Sequence, residues 1–237
     1  MAKLFTATSL DSGTAASRCN RLLVLLLGLL ALQPFVRGTL GSVIIGVTFL
    51  SVIGQAAAAL ADSGRHRVTV LTLGGLSTLA LIITIVRPLG STEQYALVPA
   101  LLALFVAYVG WTMLGFVVRG NADTRTRLSA ALCVYLLAGL AWSMIYVMVF
   151  LVDPTSFTGA PIQELVVNRA DPAYTSDAFP VFTYFSFVTL TTLGYGDITP
   201  VSPHTRTLVI LEAIGGVLYV GVMVASLVGN RPTQPVD

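Results

Sequence analysis

Thr191-Thr192-Leu193-Gly194-Tyr195-Gly196-Asp197 is the stretch on which the reading of this chain turns. It lies between an apolar, aromatic run, Phe179 to Leu190, and the last long apolar segment of the chain. A helix does not easily continue through Gly-Tyr-Gly, because glycine readily takes positive φ and interrupts regular structure. Glycine at every second position permits backbone angles of alternating sign, and successive carbonyls can then all point one way. Thr192, Leu193, Gly194 and Tyr195 would present stacked carbonyl oxygens, with the Thr192 hydroxyl below them. Four such strands around an axis form rings of oxygens that replace the water shell of a dehydrated cation. The competing reading is a glycine-rich turn between two membrane helices. Thr189-Leu190-Thr191-Thr192 before the glycines, Asp197 after them and apolar segments on both sides favour the first.

Composition places the chain in a bilayer. Of its 237 residues 55% are hydrophobic and 10% charged, and the mean hydropathy is +0.86. Soluble domains carry about 25% charged residues. The formal charge of +2 says little about partners and gives no sign of a nucleic-acid face. Cys19 and Cys133 suggest neither a disulfide nor a metal site. His66 and His204 fall in loops on opposite sides of the membrane, and no nucleophile–base pair is visible, so an enzyme is not expected. No cofactor is expected either.

Outward from the glycines, apolar runs alternate with turn-like breaks. Residues 1–20 read as a flexible tail. The run Leu22 to Val36 is short for a hydrocarbon core of about 30 Å, so Arg21 and Arg37 would reach to the two surfaces. A cleaved signal peptide is its rival, but Leu32-Gln33-Pro34-Phe35 makes a poor cleavage site, and a retained span is the expectation. Val43 to Ala61, Val68 to Val86, Tyr95 to Val118, Leu128 to Val152 and Leu208 to Val228 follow, each near the ~20 residues that cross as helix. The organisation is then a four-span membrane domain, 21–120, and a pore domain, 121–230, with a short tail, 231–237. With the amino terminus inside, the inner side holds Lys3, Arg18, Arg21, Arg65, Arg67, Arg119, Arg125, Arg127 and Arg231. The outer side holds Arg37, Arg87, Arg169 and Arg206. That bias puts both termini in the cytoplasm of a multi-pass plasma-membrane protein, with the glycine strand facing out.

Thr-Leu-Gly-Tyr-Gly-Asp, residues 192–197, resembles the selectivity filter of potassium channels, with Leu193 where Val or Ile is more usual. The resemblance runs from about Phe179 to Gly229; the rest of the chain matches only in hydropathy plan. It implies an all-α integral membrane protein: six transmembrane helices, a re-entrant pore helix and a filter, closed into a homotetrameric pore. Within 121–230 the parts would be an outer helix 128–152, an acidic outer loop 153–178, a pore helix 179–191, the filter 192–196 and an inner helix 206–229. K⁺ would bind at Thr192, Leu193, Gly194 and Tyr195, with Gly196 completing the strand, as the permeant ion and not as a cofactor. Membrane lipid and three further copies are the implied partners, and an unidentified regulatory partner is left room for.

Around this strand, Phe179 to Leu190 is too short to cross and suits a half-helix with Pro180 in its first turn. Its carboxyl end would point at the pore centre and favour a cation there. The polar Thr183, Ser186, Thr189, Thr191 and Thr192 make sense if packed against the filter. In related channels the aspartate after the filter is tied to a pore-helix side chain, in one branch the first of two adjacent tryptophans. The matching pair here is Tyr184 and Phe185, so a Tyr184–Asp197 hydrogen bond is expected and Phe185 cannot donate. Gly215-Gly216 lies in the last span, and Gly216 follows Gly196 by twenty residues, a spacing that resembles the gating-hinge glycine of inner helices. Close helix packing is the equal alternative. In that register Val217, Val220 and Val224 face an apolar cavity. Glu212, the only acid inside a span, either bonds to the back of the pore helix or reaches to the interface. Asp153, Glu164, Asp171 and Asp177 in the outer loop form either a cation-concentrating rim or merely a wet surface.

The fourth span, Tyr95 to Val118, holds no Lys or Arg, so there is no obvious charge to move in a voltage sensor. With nine residues after Val228, no cytosolic nucleotide- or calcium-binding domain is expected. The function expected is passive, potassium-selective transport. Its alternatives are a non-conducting or regulatory pore-like subunit, or a subunit of a potassium-uptake transporter. The latter's four degenerate filter repeats are absent from this single-filter chain.

Overall fold

The computed structural model describes residues 12–33, 50–52, 54–55, 64–86, 92–119, 123–167 and 174–229. Residues 1–11, most of the run Val43 to Ala61, Asp171 and the tail 231–237 lie outside the described residues. The elements in order are α1 (Ser12–Leu32), α2 (Gly64–Val86), α3 (Thr92–Arg119) and α4 (Thr124–Val152), then a 3₁₀ turn (Pro154–Ser156) and β1 (Phe157–Thr158). α5 (Ala160–Val167), α6 (Tyr174–Leu190), β2 (Thr199–Pro200) and α7 (Pro203–Gly229) complete them. Three helices among the described residues are long and apolar enough to cross a membrane: Leu97–Val118, Thr124–Val152 and Pro203–Ser226. Val68–Ile83 is a shorter apolar helix.

α4 is the hub. α3 packs along it more extensively than any other pair of elements, and α1, α6 and α7 also rest on it. The short connector after Arg119 makes α3 and α4 an antiparallel pair. Asp123 caps α4, accepting from the Thr126 amide and hydroxyl at 3.3 and 2.6 Å. The Thr126 hydroxyl is the main reason the Asp123 carboxyl is held below its ordinary range.

The expected flexible tail is corrected at its carboxyl end: Ser12 to Asn20 continue the first apolar run as helix. Cys19, Leu22, Leu26 and Leu29 recur at helical spacing as a buried stripe in the core shared with α4. Ser129 donates to the Asn20 side chain at 2.7 Å, and the Cys133 thiol lies 3.6 Å from the Cys19 carbonyl, so the polar turn of α1 is bound to the first turns of α4.

The loop 153–178 is corrected as well, since much of it is ordered. Asp153 closes α4 by donating its amide to Val149 at 2.8 Å. Its carboxylate accepts from the Thr155 amide and hydroxyl at 3.0 and 2.6 Å and from the Ser156 hydroxyl at 2.9 Å. β1 then pairs antiparallel with β2, Phe157 opposite Pro200 and Thr158 opposite Thr199. The Val201 amide adds a bond to Ser156 at 2.8 Å. The segment after the glycine strand is thereby fastened to the end of α4. α6 begins at Tyr174, five residues before the expected Phe179, which places Pro180 inside the helix and not in its first turn.

The Thr155 and Ser156 hydroxyls hold the Asp153 carboxyl below its ordinary range, the Thr155 hydroxyl most. A depressed carboxylate stabilises the fold above its unfolded value of about 3.9 and loses that contribution as pH falls through the folded value. Asp153→Ala therefore lowers the melting temperature at neutral pH, and the gap to wild type narrows below about pH 4. A pH series of thermal melts on both proteins checks this; a gap independent of pH would refute the assignment.

Candidate functional site

The glycine strand grows directly from the carboxyl end of α6. The Thr191, Thr192 and Leu193 amides donate to Phe187, Thr189 and Val188 at 3.0, 2.9 and 2.9 Å, and the Gly194 amide reaches Val188 at 3.3 Å. These bonds satisfy helix-end carbonyls and turn the chain back on itself. The Thr191 hydroxyl also faces this end, donating to Phe187 at 2.6 Å, so Thr191 caps the helix.

Beyond the cap the backbone alternates. φ is +59° at Thr192, +56° at Gly194 and +78° at Gly196, whereas Leu193 and Tyr195 keep negative values. Glycine takes such angles freely. A β-branched threonine does not, and an outlier of this kind costs roughly 1–3 kcal/mol and persists only where its surroundings hold it. Thr192 is thus the third member of the alternation, which its residue type does not announce. Residues 191 to 197 are all exposed in the single chain.

The surroundings sort the other expected residues. The Tyr184 hydroxyl donates to the Asp197 carboxylate, bringing α6 and the end of the strand together. Phe185 does not join them. It is buried against Tyr146 and Phe157, with ring centroids 5.1 and 5.5 Å away, in an aromatic layer between α4 and β1. Gly159, at φ +137°, sits so close to the Asp197 carbonyl that no side chain would fit between them. Thr183 donates to Phe179 within its own helix, at 2.8 Å. Ser186 turns away from the strand, towards the Gly139 carbonyl of α4 at 2.8 Å and Glu212 of α7. The expectation that these two hydroxyls pack against the strand is therefore corrected: at helical spacing they fall on the covered face of α6.

Glu212 is fully buried and bonds to the back of α6: one carboxyl oxygen lies 2.5 Å from the Ser186 hydroxyl and the other accepts from Tyr146 at 2.5 Å. Gly216, one turn along, is buried and leaves no room for a Cβ beside the Leu190 carbonyl, while Gly215 is exposed with open space where a Cβ would stand. The Leu190 carbonyl, last of α6, also accepts from Tyr135 at 3.2 Å. Tyr135 packs on Tyr219, whose hydroxyl donates to Ala131 at 2.7 Å. Val217, Val220 and Val224 remain about half exposed, as do Ile214, Leu218 and Val222. Tyr135, Tyr146 and Gly159 carry geometry that residue order alone does not mark out. A polar hydroxyl inside an apolar run is the available signal for the two tyrosines. Among the described residues no group of His, Cys, Asp and Glu could hold a metal ion.

The ion channel family matches residues 130–230, which hold most of α4, then α6, the glycine strand and α7. Over 70 residues the chain is 43% identical to the inward rectifier potassium channel Kirbac3.1 of Paramagnetospirillum magnetotacticum, covering 30% of this chain and 22% of that relative. The chain thus spans about a fifth of the length of the curated relative it matches. No solved structure gives a significant match. Residues 130–230, a helix pair enclosing a short helix and an alternating Thr-Leu-Gly-Tyr-Gly strand, are thus similar to an ion channel domain and, in part, to a potassium channel.

Proposed function

We propose that four copies of this chain, each with six membrane spans and both termini in the cytoplasm, enclose a K⁺-selective pore in the plasma membrane. The observation that carries the reading is the alternating backbone of Thr192, Gly194 and Gly196 on an uncovered strand at the end of the pore helix. That alternation is the condition under which the carbonyls of Thr192 to Tyr195 can line one side and replace water around an ion. One chain supplies one strand and a ring needs several. The apolar, exposed face of α7 is the surface that further copies would cover, with Val217, Val220 and Val224 towards the cavity. K⁺ then moves passively down its electrochemical gradient. The helices before the pore act as a jacket with no charge inside Leu97–Val118 to respond to voltage.

Purified protein in liposomes is expected to run as a tetramer and to pass K⁺ far faster than Na⁺. Equal fluxes of the two ions, or a monomer, would overturn the reading. In the same channel, the Tyr184–Asp197 bond steadies the outer end of the filter. Tyr184→Phe removes one hydrogen bond to a carboxylate, worth about 1.5–3 kcal/mol. Loss of conduction during sustained opening is then about tenfold or more faster, since 1.4 kcal/mol is a factor of ten. Single-channel recording that found unchanged open dwell times would remove the bond from the mechanism.

A further inference from the structure

Behind α6, two oxygens lie within hydrogen-bond distance of one serine hydroxyl, which has a single proton to give. Ser186 Oγ lies within hydrogen-bond distance of both Glu212 Oε1 and the Gly139 carbonyl oxygen. Tyr146 Oη lies against Glu212 Oε2. Three contacts need three protons. Ser186 and Tyr146 supply one each, and a backbone carbonyl supplies none. With an ionised Glu212, the serine proton could serve only one of its two neighbours. Two oxygens would then face each other at 2.8 Å with nothing between them. With a proton on Oε1 every contact is satisfied: Glu212 donates to Ser186, Ser186 donates to Gly139, and Tyr146 donates to Oε2.

The surroundings fit a neutral acid. Glu212 and Ser186 are fully buried, and the hydrogen-bond partners of Glu212 are hydroxyls. The titratable groups facing it are Tyr146 and Tyr135, both on α4. Tyr146 is itself held in place by ring contacts to Trp142, Phe157 and Phe185. A buried charge without a cationic partner is costly, whereas a fully bonded neutral carboxyl is not.

We infer that Glu212 is a positioning residue in its protonated form, donating to Ser186 and so suspending the pore helix between α4 and α7. This rests on the pore reading above and deepens it, because the residue sets where the filter-bearing end of α6 stands. It touches no ion.

Infrared spectroscopy of the reconstituted protein tests the proton without reference to conduction. A protonated-carboxyl carbonyl band is expected at neutral pH and is expected to vanish in Glu212→Gln; its absence from wild type overturns the assignment. Flux tests the positioning role. Glu212→Gln keeps a donor for Ser186 and an acceptor for Tyr146, so the K⁺/Na⁺ flux ratio stays within about twofold of wild type. Glu212→Ala strands two buried hydroxyls and lowers the ratio about tenfold or more. Ser186→Ala, which removes only the link to the pore helix, keeps the test open should the first alanine variant not assemble, and it lowers the ratio in the same direction. A glutamine variant as damaged as the alanine variant would mean that the charge is required, and would overturn the inference. Wild-type protein that showed the band but did not discriminate K⁺ from Na⁺ would sink the pore reading and leave the proton where it is.

Discussion

Gly194→Ala is expected to abolish discrimination between K⁺ and Na⁺ while leaving the fold of each subunit intact. The residue sits at φ +56°, and a Cβ built there meets nothing within 4 Å in the single chain. The effect is therefore conformational. An alanine in the left-handed region costs roughly 1–2 kcal/mol, and in the proposed tetramer four copies would multiply this to about 4–8 kcal/mol. The strand already bears such a cost at Thr192, where φ is +59°. The methyl group relaxes by turning the Gly194 peptide, and one turned carbonyl per strand would break the ring of oxygens proposed to replace water. Subunit melting should stay within a few degrees of wild type, and the K⁺/Na⁺ flux ratio should fall about tenfold or more, the consequence of 1.4 kcal/mol or more of lost discrimination. A variant that kept its ratio would show that the strand does not select through its backbone.

How much of this can be read from residue order differs from one element to the next. The long spans are legible because hydropathy is a local property: expected runs at Tyr95, Leu128 and Leu208 fall on α3, α4 and α7. The glycine strand is legible because glycine at alternate positions, between a threonine run and an aspartate, favours a backbone of alternating sign over a helix or a regular strand. The helix from Ser12 is not, because its polar turns have no strong period and are held by Ser129 and Cys133, far along the chain. The order in 153–167 depends on Thr158 meeting Thr199, a pairing that no local pattern announces. The direction of Ser186 is hidden for a related reason. A hydroxyl in an apolar helix must bond to something, but only the fold says that the something is Gly139 and Glu212 rather than the filter. Glu212 stands out as the lone acid in a span, whereas its partner Tyr146 does not, because tyrosine is at home in an apolar helix. Phe185 matches by its place beside Tyr184, yet successive helical positions point about 100° apart, and that rotation carries it into the aromatic layer on α4.

Gly215 and Gly216 are adjacent, and opposite outcomes are expected from the same substitution at each. Gly215 is exposed inside a continuous helix, with nothing near a built Cβ. Alanine there gains about 1 kcal/mol of helix propensity and should leave stability level or raised. At Gly216 the built Cβ falls on the Leu190 carbonyl oxygen, closer than any real contact, and 3.0 Å from the Leu190 side chain. That oxygen is backbone at the end of α6 and is already bonded to Tyr135, so it cannot step aside without moving the root of the glycine strand. Overpacking of this kind costs typically 1–3 kcal/mol per copy. Gly216→Ala should therefore lower the melting temperature on the order of 5 °C and conduct little. Gly216→Val, with two further methyl groups, should fail to assemble. A hinge acting alone makes a different demand: alanine at 216 would change opening and closing while thermal stability stayed at the wild-type value. Melting the two alanine variants side by side separates the cases, because close packing places the whole penalty at 216 and none at 215.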